Sequence, residues 1–250
     1  LMAECGRKLL FGKKLRSVFI LFKIISFTLF FAGSSLSTTG CCYVYEKTFG
    51  CKHVEQKLEN TDSSILLSLA SFMPCSYTQY GAAENQASPV FVLKRLSKSS
   101  YWTVRSNVAA NPKTPLDILD VLSKDEKRGV RTDVAANRNA SHEILTRLSE
   151  DSDELVQRAV AGNPNTPLEL LVKLSDDRRF QYEIAGNTSA PLKILERIAH
   201  ETSSVSVLEN LSRNLGAPAD LRQFSSKKAN VKKRAYRRRR DAEQQVKEKK

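Results

Sequence analysis

Between residues 78 and 224 the apolar positions keep one cadence and the polar positions another. In 104–122, VRSNVAANPKTPLDILDVL, Val104 and Val108 stand four apart, small residues follow, and Asn111 marks a break. Ile118, Leu119 and Leu122 then recur after Pro115. The stretch returns as VRTDVAANRNASHEILTRL around Asn137, VQRAVAGNPNTPLELLVKL around Asn163 and FQYEIAGNTSAPLKILERI around Asn187, the asparagines 26, 26 and 24 residues apart. Asn85 with Pro89 begins the series and Asn214 with Pro218 ends it, which makes six units. A unit of this length cannot bury its own apolar face, so the pattern predicts a stacked array in which each copy shelters the next.

Each unit predicts one well-marked helix. Pro115, Pro167 and Pro191 suit a first helical position, and Leu119, Leu145, Leu171 and Leu195 centre the apolar stripe that follows. Thr166 before Pro167, with Glu169 three residues on, reads as a capping box. Such a helix is too short to stand alone in water. The other half of the unit carries the i, i+4 pairs Val130 and Val134, Val156 and Val160, and Phe180 and Ile184. These lack period-two alternation, which predicts a second short helix of one or two turns, α or 3₁₀, rather than a strand. Asn111, Asn137, Asn163 and Asn187 mark the turn between the halves. Their amides are expected to bond local backbone rather than to form a ligand-binding row.

The ends of the series are degenerate. SILLSLASF at 64–72 reads as an opening helix that closes one end of the array, and Arg222 and Ser225 replace apolar positions at the other.

The unit V-x-x-x-V-A-x-N-x-x-[TSA]-P-x-x-[IL]-L-x-x-L resembles the variant leucine-rich repeat of bacterial proteins, most closely over 104–122, 130–148 and 156–174. The resemblance implies alternating α and 3₁₀ helices in a right-handed superhelix without a sheet. Some members of that family hold an N-terminal iron–sulfur cluster on closely spaced cysteines. Cys41, Cys42 and Cys51 depart from a CxxC arrangement, so no cofactor is expected here.

Outside the repeats the chain changes character. Residues 1–40 join a basic front to the apolar run VFILFKIISFTLFFAG and a small-residue exit, the parts of a signal peptide, with a membrane anchor as the alternative. Cys41, Cys42, Cys51 and Cys75 follow in the segment 41–77. Two disulfides, metal ligation and free thiols are all open readings, and Thr38-Thr39-Gly40-Cys41 makes Cys41 a candidate lipidation site. These signals favour an exported or envelope protein over a cytoplasmic one.

The net charge of +13 resides at the two ends: 225–250 carries +9 and 1–23 carries +5, leaving the array nearly neutral. A high pI is therefore no sign that the array itself binds nucleic acid. The tail is expected to be disordered, with Arg237, Arg238, Arg239 and Arg240 as candidate contacts for a polyanion. The three histidines, His53, His142 and His200, have no partner at catalytic spacing, and no phosphate loop or HExxH occurs. The expected architecture is thus an all-α solenoid of six repeats over 78–224. The expected function is non-catalytic binding of a protein or peptide along its concave face, with Lys113, Asp120 and Lys124 among the residues that select the partner. Nucleic-acid binding through the tail is the alternative.

Overall fold

The computed structural model describes residues 64–72 and 76–248. Every described element is helical, thirteen α-helices and one 3₁₀ turn, with no strand among the described residues. The chain divides into two compact units, Leu1–Pro89 and Val90–Lys250. The apolar segment of 1–40 and all five cysteines, Cys41 among them, lie outside the described residues. No described helix is long and apolar enough to cross a membrane.

In the first unit, α1 (Ser64–Phe72) packs on α2 (Ser76–Glu84) through Leu67, Ala70, Ala82 and Ala83, all buried. Thr78, Ala82, Ala83 and Asn85 stand in the register that later repeats fill with valine, valine, alanine and asparagine. The Asn85 carboxamide oxygen accepts from the Ala87 amide at 2.6 Å, and the Ser88 hydroxyl donates to the Ala82 carbonyl.

The second unit alternates leucine-bearing and valine-bearing helices. The former are α3 (Val90–Leu96), α5 (Leu116–Leu122), α7 (His142–Leu148), α9 (Leu168–Ser175) and α11 (Leu192–Glu201). The latter are α4 (Trp102–Ala110), α6 (Arg128–Ala136), α8 (Glu154–Gly162), α10 (Gln181–Gly186) and α12 (Val205–Arg213). Leu119, Leu145, Leu171 and Leu195 are fully or almost fully buried, as are Val104, Val108 and their counterparts. Successive valine helices lie directly against one another, because alanines such as Ala109 and Ala135 let the backbones approach; successive leucine helices stand further apart. The valine helices therefore form the more closely packed face of the stack.

The valine half is α-helical in most repeats, and 3₁₀ geometry is confined to Arg178–Phe180, just before α10. That repeat is two residues shorter than the three before it, and the deletion falls between Leu174 and Phe180. With less chain to reach the next helix, the entry turn tightens. The capping box also differs from expectation. Pro115, Pro167 and Pro191 are themselves the N-cap residues, without side-chain cap bonds. The hydroxyls of Thr114 and Thr166 turn inward and donate to the Val108 and Val160 carbonyls at the end of the preceding helix. Each of those carbonyls already accepts from the amide of the following asparagine, and the buried hydroxyl adds a second donor that satisfies both groups away from water. Ser141, in the unit that lacks the proline, does cap its helix, accepting from the Ile144 amide at 3.3 Å.

The asparagines do more than make local turns. The carboxamide oxygen of each accepts from the amide two residues on, at 2.9 Å for Asn111 to Lys113 and 2.8 Å for Asn163 to Asn165. The carboxamide nitrogen reaches back into the preceding repeat. Asn137 donates to the Ala109 and Asn111 carbonyls at 2.6 and 3.1 Å, and Asn163 to Ala135 and Asn137 at 2.6 and 2.9 Å. Asn187 and Asn214 repeat the arrangement on Ala161 and Asn163, and on Ala185 and Asn187. A continuous buried ladder therefore joins the repeats from Asn111 to Asn214.

The final basic segment, expected to be disordered, is instead part of α13 (Ala219–Glu248). It holds neither glycine nor proline and is rich in Lys, Arg, Gln, Glu and Ala, all good helix formers. Leu221, Ser225 and Ala229, four residues apart, are buried, and the helix lies along α12. The Lys228 ammonium donates to the Ala199 and His200 carbonyls at the end of α11, and Lys233 pairs with Glu209. The start of α13 thus closes the end of the stack, as a terminal unit must.

Replacing Asn163 by alanine leaves the buried Ala135 carbonyl and the Asn165 amide without these partners and takes one of two donors from the Asn137 carbonyl. Chemical denaturation should show a loss of about 2–4 kcal/mol. Asn165 makes a similar reach to the Arg138 carbonyl but from an exposed position, so Asn165→Ala should cost less than about 0.5 kcal/mol.

Candidate functional site

The ladder and the leucine core use up the regular positions of each repeat, so specific chemistry has to come from the positions that vary. On the valine helices three large side chains stand out: Trp102 on α4, Leu155 on α8 and Tyr182 on α10, which are 47%, 50% and 46% exposed. Each is placed by a valine helix whose opposite side is locked in the core. The Trp102 ring lies across to α6, where a Cβ on Gly129 would come within 3.2 Å of it. Gly129 occupies the register that Leu155 fills one repeat later, so the missing side chain makes room for the indole.

Beyond Leu155 a polar cleft of about 390 Å³ opens on this face, lined by Arg158, Arg178, Arg179, Tyr182, Ser204 and Ser206 among others. Arg158 pairs with Glu154 at 2.7 Å and with Glu183 at 3.2 Å, and Arg179 with Asp177 at 2.6 Å and Glu154 at 3.4 Å. The Arg158 and Arg179 partners hold the Glu154 carboxyl below its ordinary value. Arg178 is exposed and faces no carboxylate among the described residues. The cleft is therefore near charge balance, with guanidinium groups already held in place.

On α6 the valine helices also carry a half-buried acid. Asp133 accepts from the Ser106 hydroxyl of the preceding repeat, and burial raises its carboxyl above the ordinary value while that bond lowers it in part. Two other carboxylates behave in the opposite way. Arg105 grips Asp125 through two bonds at 2.6 and 3.0 Å, and Arg131 grips Asp151 at 2.7 and 3.0 Å. Burial raises both carboxyls, but the guanidinium and a backbone amide more than reverse it, and both end below the usual range. These pairs strap each valine helix to the loop that follows the next leucine helix.

Several residues singled out in the sequence lie elsewhere. Asn111, Asn137, Asn163 and Asn187 are buried in the ladder and Pro115, Pro167 and Pro191 at helix starts. Lys113 lies in an asparagine turn; Asp120 and Lys124 form an ion pair at 3.0 Å on the leucine side, where Arg147 also reaches Asp120. Arg237, Arg238, Arg239 and Arg240 are exposed on α13 and do not line the cleft. His142 is exposed in the first turn of α7, and His200 stacks on Phe224 with ring centroids 4.8 Å apart. No cluster of metal-ligating side chains occurs among the described residues. Trp102, Leu155 and Tyr182 escaped the sequence reading because each sits where its aligned counterparts hold other residue types. The available signal was a large apolar residue on the polar side of a valine helix.

The fold defines the chain as an all-α repeat scaffold. No protein-family model matches it. No curated protein matches it either. Among solved structures, it is similar to one described as a leucine-rich repeat variant with a novel repetitive protein structural motif, at TM-score 0.47 and 24% identity over 67% of each chain.

Asp133 generates a prediction with a definite sign. Its folded-state pKa is raised, so it weakens stability as pH rises from the ordinary carboxylate value through the raised one. Asp133→Asn keeps an acceptor for Ser106 and removes the charge. Thermal unfolding should show a gain of about 1 kcal/mol at pH 7 and no gain well below pH 4.

Proposed function

We propose that this protein is a non-catalytic scaffold of the variant leucine-rich repeat type, and that it binds a protein or peptide partner along the valine-helix face. The observation that carries the reading is the exposure of Trp102, Leu155 and Tyr182 on the valine helices of the array. Neither the ladder nor the core requires a large apolar group at those positions. Tryptophan, tyrosine and arginine are the residues that anchor interfaces most often, and this face presents all three types. Regular positions supply the framework and irregular ones the specificity, which is how stacked repeats commonly bind. The leucine helices offer the competing surface, since Val90, Leu116, Leu168 and Leu192 are exposed at one shared register.

A photo-crosslinking side chain placed at Trp102 or Tyr182, and separately at Leu116 or Leu168, separates the two faces. The valine-helix positions should capture one common partner that excess unlabelled protein competes away. A Trp102→Ala, Tyr182→Ala double variant should compete at least about 30-fold less well with its melting temperature unchanged. Capture from the leucine positions alone, or full competition by the double variant, refutes the assignment.

A further inference from the structure

The outer half of α13 is unexplained by packing. Its inner half is fixed by Leu221, Ser225, Ala229, Lys228 and Lys233, but from Arg234 to Asp241 every residue is exposed. Residues 226–240 contain nine Lys or Arg and no acid. Two of the nine, Lys228 and Lys233, are engaged with the array, and Arg240 lies 3.8 Å from Asp241. Lys227, Lys232, Arg234, Arg237, Arg238 and Arg239 face no carboxylate among the described residues, and the like-charged pairs Lys233–Arg237 and Arg234–Arg238, four apart, oppose the helix they sit on. A helix with this charge density is better stabilised by an external polyanion than by anything in the chain.

The angular distribution of the charge selects the polyanion. At about 100° per residue, Arg237, Arg238, Arg239 and Arg240 point in four directions that together span most of the circumference. A lipid surface meets a helix on one side and rewards an apolar face there. Here the exposed apolar residues are Val231 and Tyr236, five apart and so on different faces. A groove between two phosphate-lined walls meets cations on both flanks, and the major groove of a duplex is wide enough for an α-helix. We propose that the outer half of α13 is a nucleic-acid-binding arm that seats in the groove of a double helix, holding it through phosphate contacts without base selection. This site is independent of the partner face on the valine helices.

The full chain should bind a short mixed-sequence DNA duplex, and bind an RNA duplex, whose major groove is too narrow for a helix, more weakly, with affinity for DNA falling about a thousandfold between 50 and 200 mM salt if six phosphates are neutralised. Replacing Arg237, Arg238, Arg239 and Arg240 together by glutamine should weaken binding by roughly 100-fold or more. Ala235→Pro keeps every charge but breaks the helix beyond its last anchor, and should weaken binding at least about tenfold. Circular dichroism and melting temperature confirm that the array is intact in both variants. Wild-type affinity in the proline variant overturns the groove-seated helix, wild-type affinity in the glutamine variant overturns the arm, and tighter binding to phosphatidylserine vesicles than to either duplex reassigns the segment to membranes and overturns the proposal.

Discussion

One carboxamide per repeat holds this structure together. Asn163 uses its oxygen to close its own turn and its nitrogen to satisfy two carbonyls of the repeat before it. All of those groups are buried, where an unmet hydrogen bond costs far more than a met one contributes. The valine and leucine helices are too short to persist alone, and an apolar contact between them has no fixed register. The asparagine supplies that register. Aspartate lacks the donors, and glutamine is a methylene too long to close the same local turn, which is why one residue type recurs at Asn111, Asn137, Asn163, Asn187 and Asn214.

Two further bonding rows reinforce it. Thr114 and Thr166 complete the carbonyls at the ends of α4 and α8, and the guanidinium groups of Arg105 and Arg131 clamp Asp125 and Asp151 by paired bonds. Where a repeat drops one device another carries the junction: Gln157 stands in the arginine register and bonds only the Asp151 carbonyl of its own entry loop, at 2.7 Å, while Arg158 reaches Glu183 on α10 at 3.2 Å. Since each junction is built from its own residues, neighbouring repeats tolerate different surfaces. That freedom places an indole over Gly129, a leucine at 155 and a phenol at 182 without disturbing what lies beneath.

The end of the stack shows the same logic with another solution. A seventh repeat would cover α12; α13 does so instead, burying Ser225 and Ala229 and capping α11 with the Lys228 ammonium. The helix then continues past the last contact, so that one element closes the array and presents a charged arm away from it.

The sequence by itself determined the period, the two helices per repeat, the buried leucines and the position of each turn, because these follow from spacing along a single segment. Tertiary structure alone decided the rest. Thr166 has the spacing of a cap, but the Val160 carbonyl is its partner, and no local rule ranks those two demands. The reach of Asn137 to Ala109 spans a full repeat and exists only once the stack has formed. Basic residues 225–248 have the composition of a disordered tail, yet their first turns find a surface on α12 and the helix propagates from there. Trp102 and Tyr182 stand out as exposed only once the stack has buried the valines beside them: a pattern along the chain records what is repeated, and these two residues are not.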